Sequence, residues 1–237
     1  MKPRQLDGLA SRTLSLILSA LRWAYSFAVH KPFTSSSHYW QDRYSSGGTS
    51  GPGSYGRLAE FKASVLNDLV KSRAVRTVIE LGCGDGSQLT LANYPEYLGV
   101  DISEAAVAMC ITRFSGDATK AFVTLQDFRR DRPTADLSLS LDVIYHLVED
   151  RTFDLYMRDL FGSSNRLVAI YSSNSDRIID AALHVRHRNF TEWVAHEARG
   201  WHLVETHKNP YPFDWRDRKN TSQSDLYVFE KREVAGA

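Results

Sequence analysis

"VIELGCGDGSQ" spans residues 78–88. An apolar run carrying one acid, Glu80, leads into three glycines, Gly82, Gly84 and Gly86, within five positions. The run reads as a buried strand, and glycines directly behind a strand permit a tight turn and a close backbone approach to a ligand. The spacing is G-x-G-x-G rather than G-x-G-x-x-G, and no Lys-Ser/Thr follows, so the stretch is not a P-loop. Glu80 at the strand end repels phosphate and suits an ammonium group. The glycines are expected to sit just ahead of a helix.

Strands and helices alternate outward from this stretch. Strands are expected at 76–81, 97–102, 121–125, 135–144 and 166–172, with helices at 104–114 (capped by Ser103), 151–161 and 189–199. Residues 57–72 form an amphipathic helix with Leu58, Phe61, Val65, Leu66 and Leu69 on one side. The last two strands, 201–208 and 224–232, have no helix between them and should pair antiparallel at the sheet edge. This is an α/β pattern: a mostly parallel sheet with helices on both faces and an antiparallel C-terminal strand pair.

The chain has 237 residues, 43% hydrophobic and 24% charged, with a formal net charge of +1. That size fits one globular domain with an appendage. The near-zero charge supplies no global field toward nucleic acid, so no nucleic-acid partner is expected. The two cysteines, Cys83 and Cys110, lack metal or disulfide spacing. They point to a reducing, cytoplasmic setting and to no metal site.

Residues 1–34 read as an N-terminal amphipathic helical extension of a domain covering 35–237. In residues 9–29 the polar positions Arg12, Ser15, Ser19, Arg22 and Ser26 fall on one helical stripe. Three uses fit. The helix packs on its own domain or on a second subunit. It lies in a membrane interface, with Trp23 and Tyr25 at headgroup level. Or it is a cleaved signal, although no A-x-A-like site follows.

Asp101 ends the second strand, where an acid can accept from both hydroxyls of a ribose. Asp127 and Phe128, in "LQDF" after the third strand, can accept from an adenine amine and pack on its ring. These groups together match an adenosine with a cationic amino-acid tail. At "VIELGCGDGSQ", "GVDIS", "LQDF" and "LSLDVIYHLVED" the chain resembles the class I S-adenosylmethionine-dependent methyltransferases, over residues 39–231.

The resemblance implies a Rossmann-like sheet of seven strands and S-adenosylmethionine as cofactor. Glu80, Gly82, Cys83, Gly84 and Gly86 would line its methionine and ribose side. Asp101 would hold the ribose, Ile102 would lie beside the adenine, and Asp127 with Phe128 would recognise it. Leu141 and Asp142 would lie near the methyl group. Residues 38–56 would form an N-terminal lid. In it Tyr39, Trp40, Arg43 and Tyr44 would face the methionine carboxylate and the acceptor, Arg43 being the ion partner, with Tyr55 a further contact.

No Asn/Asp-Pro-Pro-Tyr/Phe follows the fourth strand, which disfavours adenine-N6 and glutamine acceptors. His146 is the candidate base, with Asp142 and Tyr145 beside it; a packing role for His146 is the alternative. The segment "HVRHRNFTEW" (184–193) offers His184, Arg186 and His187 to an anionic or polyhydroxylated acceptor, or else a solvated basic helix start. The expected activity is methyl transfer to a small molecule or glycan, on oxygen. Protein or RNA methylation, a non-catalytic cofactor-binding scaffold and a nicotinamide dehydrogenase are the alternatives.

Overall fold

The computed structural model describes residues 33–176 and 182–232. The expected extension over 1–34 lies outside the described residues except for Phe33 and Thr34, and so does the assignment of residues 9–29 to membrane contact or self-association. No helix among the described residues is long and apolar enough to cross a membrane.

In chain order the helices are α1 (Ser36–Ser45), α2 (Gly56–Ser72), α3 (Glu104–Arg113), α4 (Leu125–Asp131), α5 (Asp150–Gly162) and α6 (Phe190–Glu197). The strands are β1 (Thr77–Leu81), β2 (Glu96–Asp101), β3 (Lys120–Thr124), β4 (Ala135–Leu141), β5 (Ser164–Ser172), β6 (Trp201–His207) and β7 (Asp225–Lys231). They form one seven-stranded sheet in the order β3-β2-β1-β4-β5-β7-β6. The first five strands run parallel, and β7 pairs antiparallel with both β5 and β6. The expected architecture, including the terminal antiparallel pair, is the observed one.

Period-2 alternation in the strands divides the core between the two sheet faces. Leu137, Leu139, Leu167, Ala169 and Tyr171 join the cluster under α2 and α3. Val168 and Ile170 join Phe153, Met157, Leu160, Phe161 and Phe190 of α5 and α6 on the other face. Ser138 and Ser140 alternate with those leucines of β4, fully buried. Their hydroxyls are satisfied by Ser163 at 2.8 Å and by the Tyr156 hydroxyl at 2.8 Å.

Three local expectations change. No α-helix follows the glycines: a 3₁₀ turn over Gln88–Leu91 does. Pro95 cannot sit in a helix interior and biases Tyr94 toward extended backbone, and β2 already begins at Glu96. The third strand stops at Thr124 instead of 125 and "LQDF" is helical, because the Thr124 hydroxyl caps α4 by accepting from the Asp127 amide at 3.2 Å. The fourth strand stops at Leu141 instead of 144, because Asp142 turns left-handed with φ +61°.

Sequential strands move from β1 to β2 and β3 on one side, then cross back to β4 and β5 on the other. The carboxyl ends of β1, β2 and β4 therefore face the switch point, where open α/β sheets bind ligands.

Candidate active site

A cavity of about 230 Å³ opens at this switch point. The chain leaves β1 through Gly82 and Cys83, whose amides both donate to the Val100 carbonyl, at 2.7 and 3.0 Å. This ties the glycine turn to β2. Gly84 has φ +59°, and a Cβ there would run into Ser50 Oγ and meet Tyr44 Oη at 2.7 Å. Only glycine lets residues 44–50 close over the turn. Gly86 faces the other way, against Cys110 of α3 and Phe114 just past its end, and does not line the cavity.

Two acids reach the cavity from adjacent strands. The Asp101 carboxylate accepts from the amides of Gly84 and Ser103, both at 2.9 Å. Burial pushes its pKa up, against the pull of those amides. Glu80 is 4% exposed and accepts from the Tyr97 hydroxyl at 2.7 Å. Burial dominates there too, raising its pKa to about 7 although Tyr97 and Lys62 favour the ionised form.

Lys62 and Asp142 also line the cavity, Asp142 directly after β4. Lys62 is 1% exposed and its ammonium pairs with Asp142 Oδ2 at 2.5 Å. Asp142 Oδ1 accepts from the Tyr145 hydroxyl at 2.8 Å. The Asp142 amide donates to the Tyr171 carbonyl at 3.0 Å, which anchors the left-handed turn to the end of β5.

His146 lines the same cavity and is enclosed by Trp40 (ring centroids 4.9 Å apart), Tyr145 (4.5 Å) and His184 (5.5 Å). Burial is the main cause of its lowered pKa, about 4. Its Nδ1 lies 3.1 Å from the His184 carbonyl oxygen. A carbonyl only accepts, so Nδ1 carries the proton and Nε2 is the basic nitrogen.

The N-terminal segment covers the site through a specific latch. Asp85 is buried and accepts from the Ser50 amide (3.1 Å), the Tyr55 hydroxyl (2.8 Å) and the Ser87 amide (2.9 Å). Its own amide donates to Ser50 Oγ at 2.9 Å. Burial alone would raise the Asp85 pKa, but these hydrogen bonds together hold it below the usual carboxylate range. At the start of α1, the Ser36 amide donates to Glu149 at 3.0 Å and its hydroxyl accepts from the Val148 amide at 2.9 Å.

Of the residues expected from the sequence, Trp40, Tyr44, Glu80, Gly82, Cys83, Gly84, Asp101, Ile102, Leu141, Asp142 and His146 line one cavity. The others do not. Arg43 donates to the Thr49 carbonyl at 2.6 Å and to the Tyr39 hydroxyl at 3.3 Å, bracing the lid from within. Tyr39 stacks on His184 at 4.4 Å. Asp127 is a half-buried first-turn residue of α4 held by Thr124 and Arg130, and Phe128 is buried in the core; Leu125 and Arg129 of the same helix line the cavity instead. The Tyr145 and Tyr55 hydroxyls donate to Asp142 and Asp85.

The basic segment also has a structural use. Arg186 and Arg188 donate to the carbonyls of Leu147 and Val148 and pair with Asp150, so they brace the turn between β4 and α5. His187 Nδ1 lies 2.6 Å from Ser173 Oγ, behind Tyr145. Sequence reading missed Lys62, Ser50 and Asp85. Only Lys62 left a signal: it stands four residues from both Leu58 and Leu66, on the buried stripe of α2.

No protein-family model matches the chain, and no curated protein does. Solved structures do match in fold. One is the N-methyltransferase NodS from Bradyrhizobium japonicum WM9, in complex with S-adenosyl-L-homocysteine; the alignment has TM-score 0.65 and 14% identity, and covers 84% of this chain and all of that one. Another is magnesium protoporphyrin IX methyltransferase (ChlM) from Synechocystis PCC 6803 with bound SAM, at TM-score 0.61 and 14% identity over 85% of this chain and 100% of that one. The methyltransferase domain of bacterial CtHen1 aligns at TM-score 0.58 and 18% identity, over 73% of this chain and 100% of that one. The chain thus has the Rossmann-like fold of the class I methyltransferases, a fold these proteins use on different acceptors.

Proposed function

We propose that the cavity binds S-adenosylmethionine and that the chain is a methyltransferase acting on a hydroxyl of a small molecule or glycan. One observation carries the reading: Glu80 and Asp101, both buried, line one cavity at the sheet's switch point. Carboxylates accept without donating, and each oxygen has a second lone pair beyond the bonds described above. Asp101 suits a pair of ribose hydroxyls, and Glu80 suits the ammonium of an amino-acid tail. Ile102 and Leu125 give apolar walls for a base beyond the ribose. When bound, the cofactor supplies an electrophilic methyl group on a sulfonium.

The chain's own contribution is positioning, exclusion of water and handling of one proton. Holding two reactants in line removes much of the entropic barrier of a displacement. The lid latched on Asp85 and the ring enclosure around His146 keep water out. Nε2 of His146 takes the acceptor's proton while Nδ1 stays on the His184 carbonyl. The cytoplasmic setting expected from the cysteines belongs to the same reading. A non-catalytic scaffold would need the Glu80–Asp101 end of the cavity but not an enclosed His146.

Calorimetry with S-adenosyl-L-homocysteine tests the proposal on wild type and Asp101→Ala. Micromolar binding by wild type, weakened at least tenfold in a variant that still melts cooperatively, is expected. No binding by folded wild type would overturn the cofactor assignment.

A further inference from the structure

Lys62 is the only charged residue on the buried face of α2, among Leu58, Ala59, Ala63, Leu66, Leu69 and Val70. A buried ion pair is a poor source of stability, because desolvating two charges costs about what their attraction returns. Its partner Asp142 is held in left-handed backbone, which non-glycine residues adopt at a cost and which clusters at functional sites. Among the described residues, the ammonium's one hydrogen-bond partner is Asp142, which leaves two of its three N–H donors for the cavity it lines. It also stands 4.9 Å from the centre of the Tyr171 ring of β5.

We propose that Lys62 is the oxyanion-binding residue of the acceptor site: its ammonium, oriented by Asp142, receives the acceptor oxygen as that oxygen gives up its proton. This rests on the cofactor reading above and deepens it by naming the acceptor class. A preorganised cation in a water-poor site stabilises charge as it develops on an oxygen. The O–H bond breaks, the proton goes to Nε2 of His146, and the electron pair stays on the oxygen facing Lys62. An amine acceptor, protonated at neutral pH, meets a like charge there. The site therefore selects ionisable hydroxyls over amines.

The test uses 4-nitrophenol, whose anion and neutral form differ in absorbance, with full-length protein loaded with S-adenosyl-L-homocysteine. Wild type is expected to hold the bound phenol as its anion at least one pH unit below the free compound, a tenfold preference. Lys62→Met should lose the shift and Lys62→Arg should keep part of it. Lys62→Met leaves Asp142 buried alone, so the double variant with Asp142→Asn serves as a folded control that must also lack the shift. Equal shifts in wild type and Lys62→Met, or no phenol binding by loaded wild type, overturn the assignment.

Calorimetry on the same samples separates the two proposals. Lys62→Met should bind S-adenosyl-L-homocysteine within threefold of wild type. A hundredfold loss would give Lys62 to the cofactor's carboxylate and overturn the acceptor role. If wild type binds no S-adenosyl-L-homocysteine, the cofactor reading fails. The phenol titration without it then still decides whether Lys62 holds an oxyanion.

Discussion

At the β2 end of the cavity, the polar groups come from short, contiguous stretches. Glu80 and the glycines follow one another in the chain, and Asp101 lies at the end of the neighbouring strand, locked to Gly84 and Ser103 by backbone amides. At the β4–β5 end, Lys62 comes from α2, Asp142 and His146 from the turn after β4, Trp40 from α1, and the carbonyl that fixes His146 from residue 184. The first end is built from backbone geometry and tolerates little change. The second is built from side chains on separate elements, so its chemistry can change without disturbing the turn. A fold that keeps one cofactor end and varies its acceptor end needs that division.

The sharpest way to break the contrast is Gly84→Ala. The new Cβ meets Ser50 and Tyr44 in a backbone conformation that L-residues rarely adopt. A loss of about 2–4 kcal/mol in urea unfolding is expected, together with loss of S-adenosyl-L-homocysteine binding. A variant of unchanged stability would show that the turn tolerates change, contrary to the contrast.

Asp85→Ala should cost less, about 1–2 kcal/mol, because it strands the Ser50 and Ser87 amides and the Tyr55 hydroxyl while the turn itself survives. Its effect should concentrate in the lid. Proteolysis within residues 45–56 should accelerate severalfold, and bound S-adenosyl-L-homocysteine should dissociate faster. Unchanged cleavage would mean that Asp85 braces the turn alone.

The same division explains what could be read in the sequence. The β2 end lies within residues 78–103, so strand pattern, glycine spacing and the acid at the next strand end expose it locally. Seven strands and the antiparallel pair follow from alternation and from the missing helix before β7. Long-range pairing is different. Nothing near Lys62 announces a partner 80 positions away, and nothing near Asp85 announces Ser50. Arg43 sits in the right helix for a ligand, but the Thr49 carbonyl is closer and takes its guanidinium. Arg186 and Arg188 look like a surface for anions until the carbonyls of Leu147 and Val148 are seen to need donors.

The smallest expected effect is a cancellation between the two ends. Burial holds Glu80 at about 7, against an ordinary 4.5, so the folded chain keeps a proton that the unfolded chain has released. Its contribution to stability therefore falls as pH rises from 4.5 to 7. His146 is pushed from 6.5 down to about 4, so the unfolded chain takes its proton first and stability rises with pH from 4 to 6.5. Between pH 4.5 and 6.5 the two slopes oppose, each worth on the order of 3 kcal/mol, and wild type should show a nearly flat urea midpoint from this pair. Glu80→Gln should uncover the rising limb and His146→Asn the falling one. Saturating S-adenosyl-L-homocysteine, whose ammonium favours ionised Glu80, should tilt wild type toward the Glu80→Gln profile. If both variants keep the wild-type profile, neither burial governs a proton, and the two ends of the cavity are not electrostatically distinct in the way their construction implies.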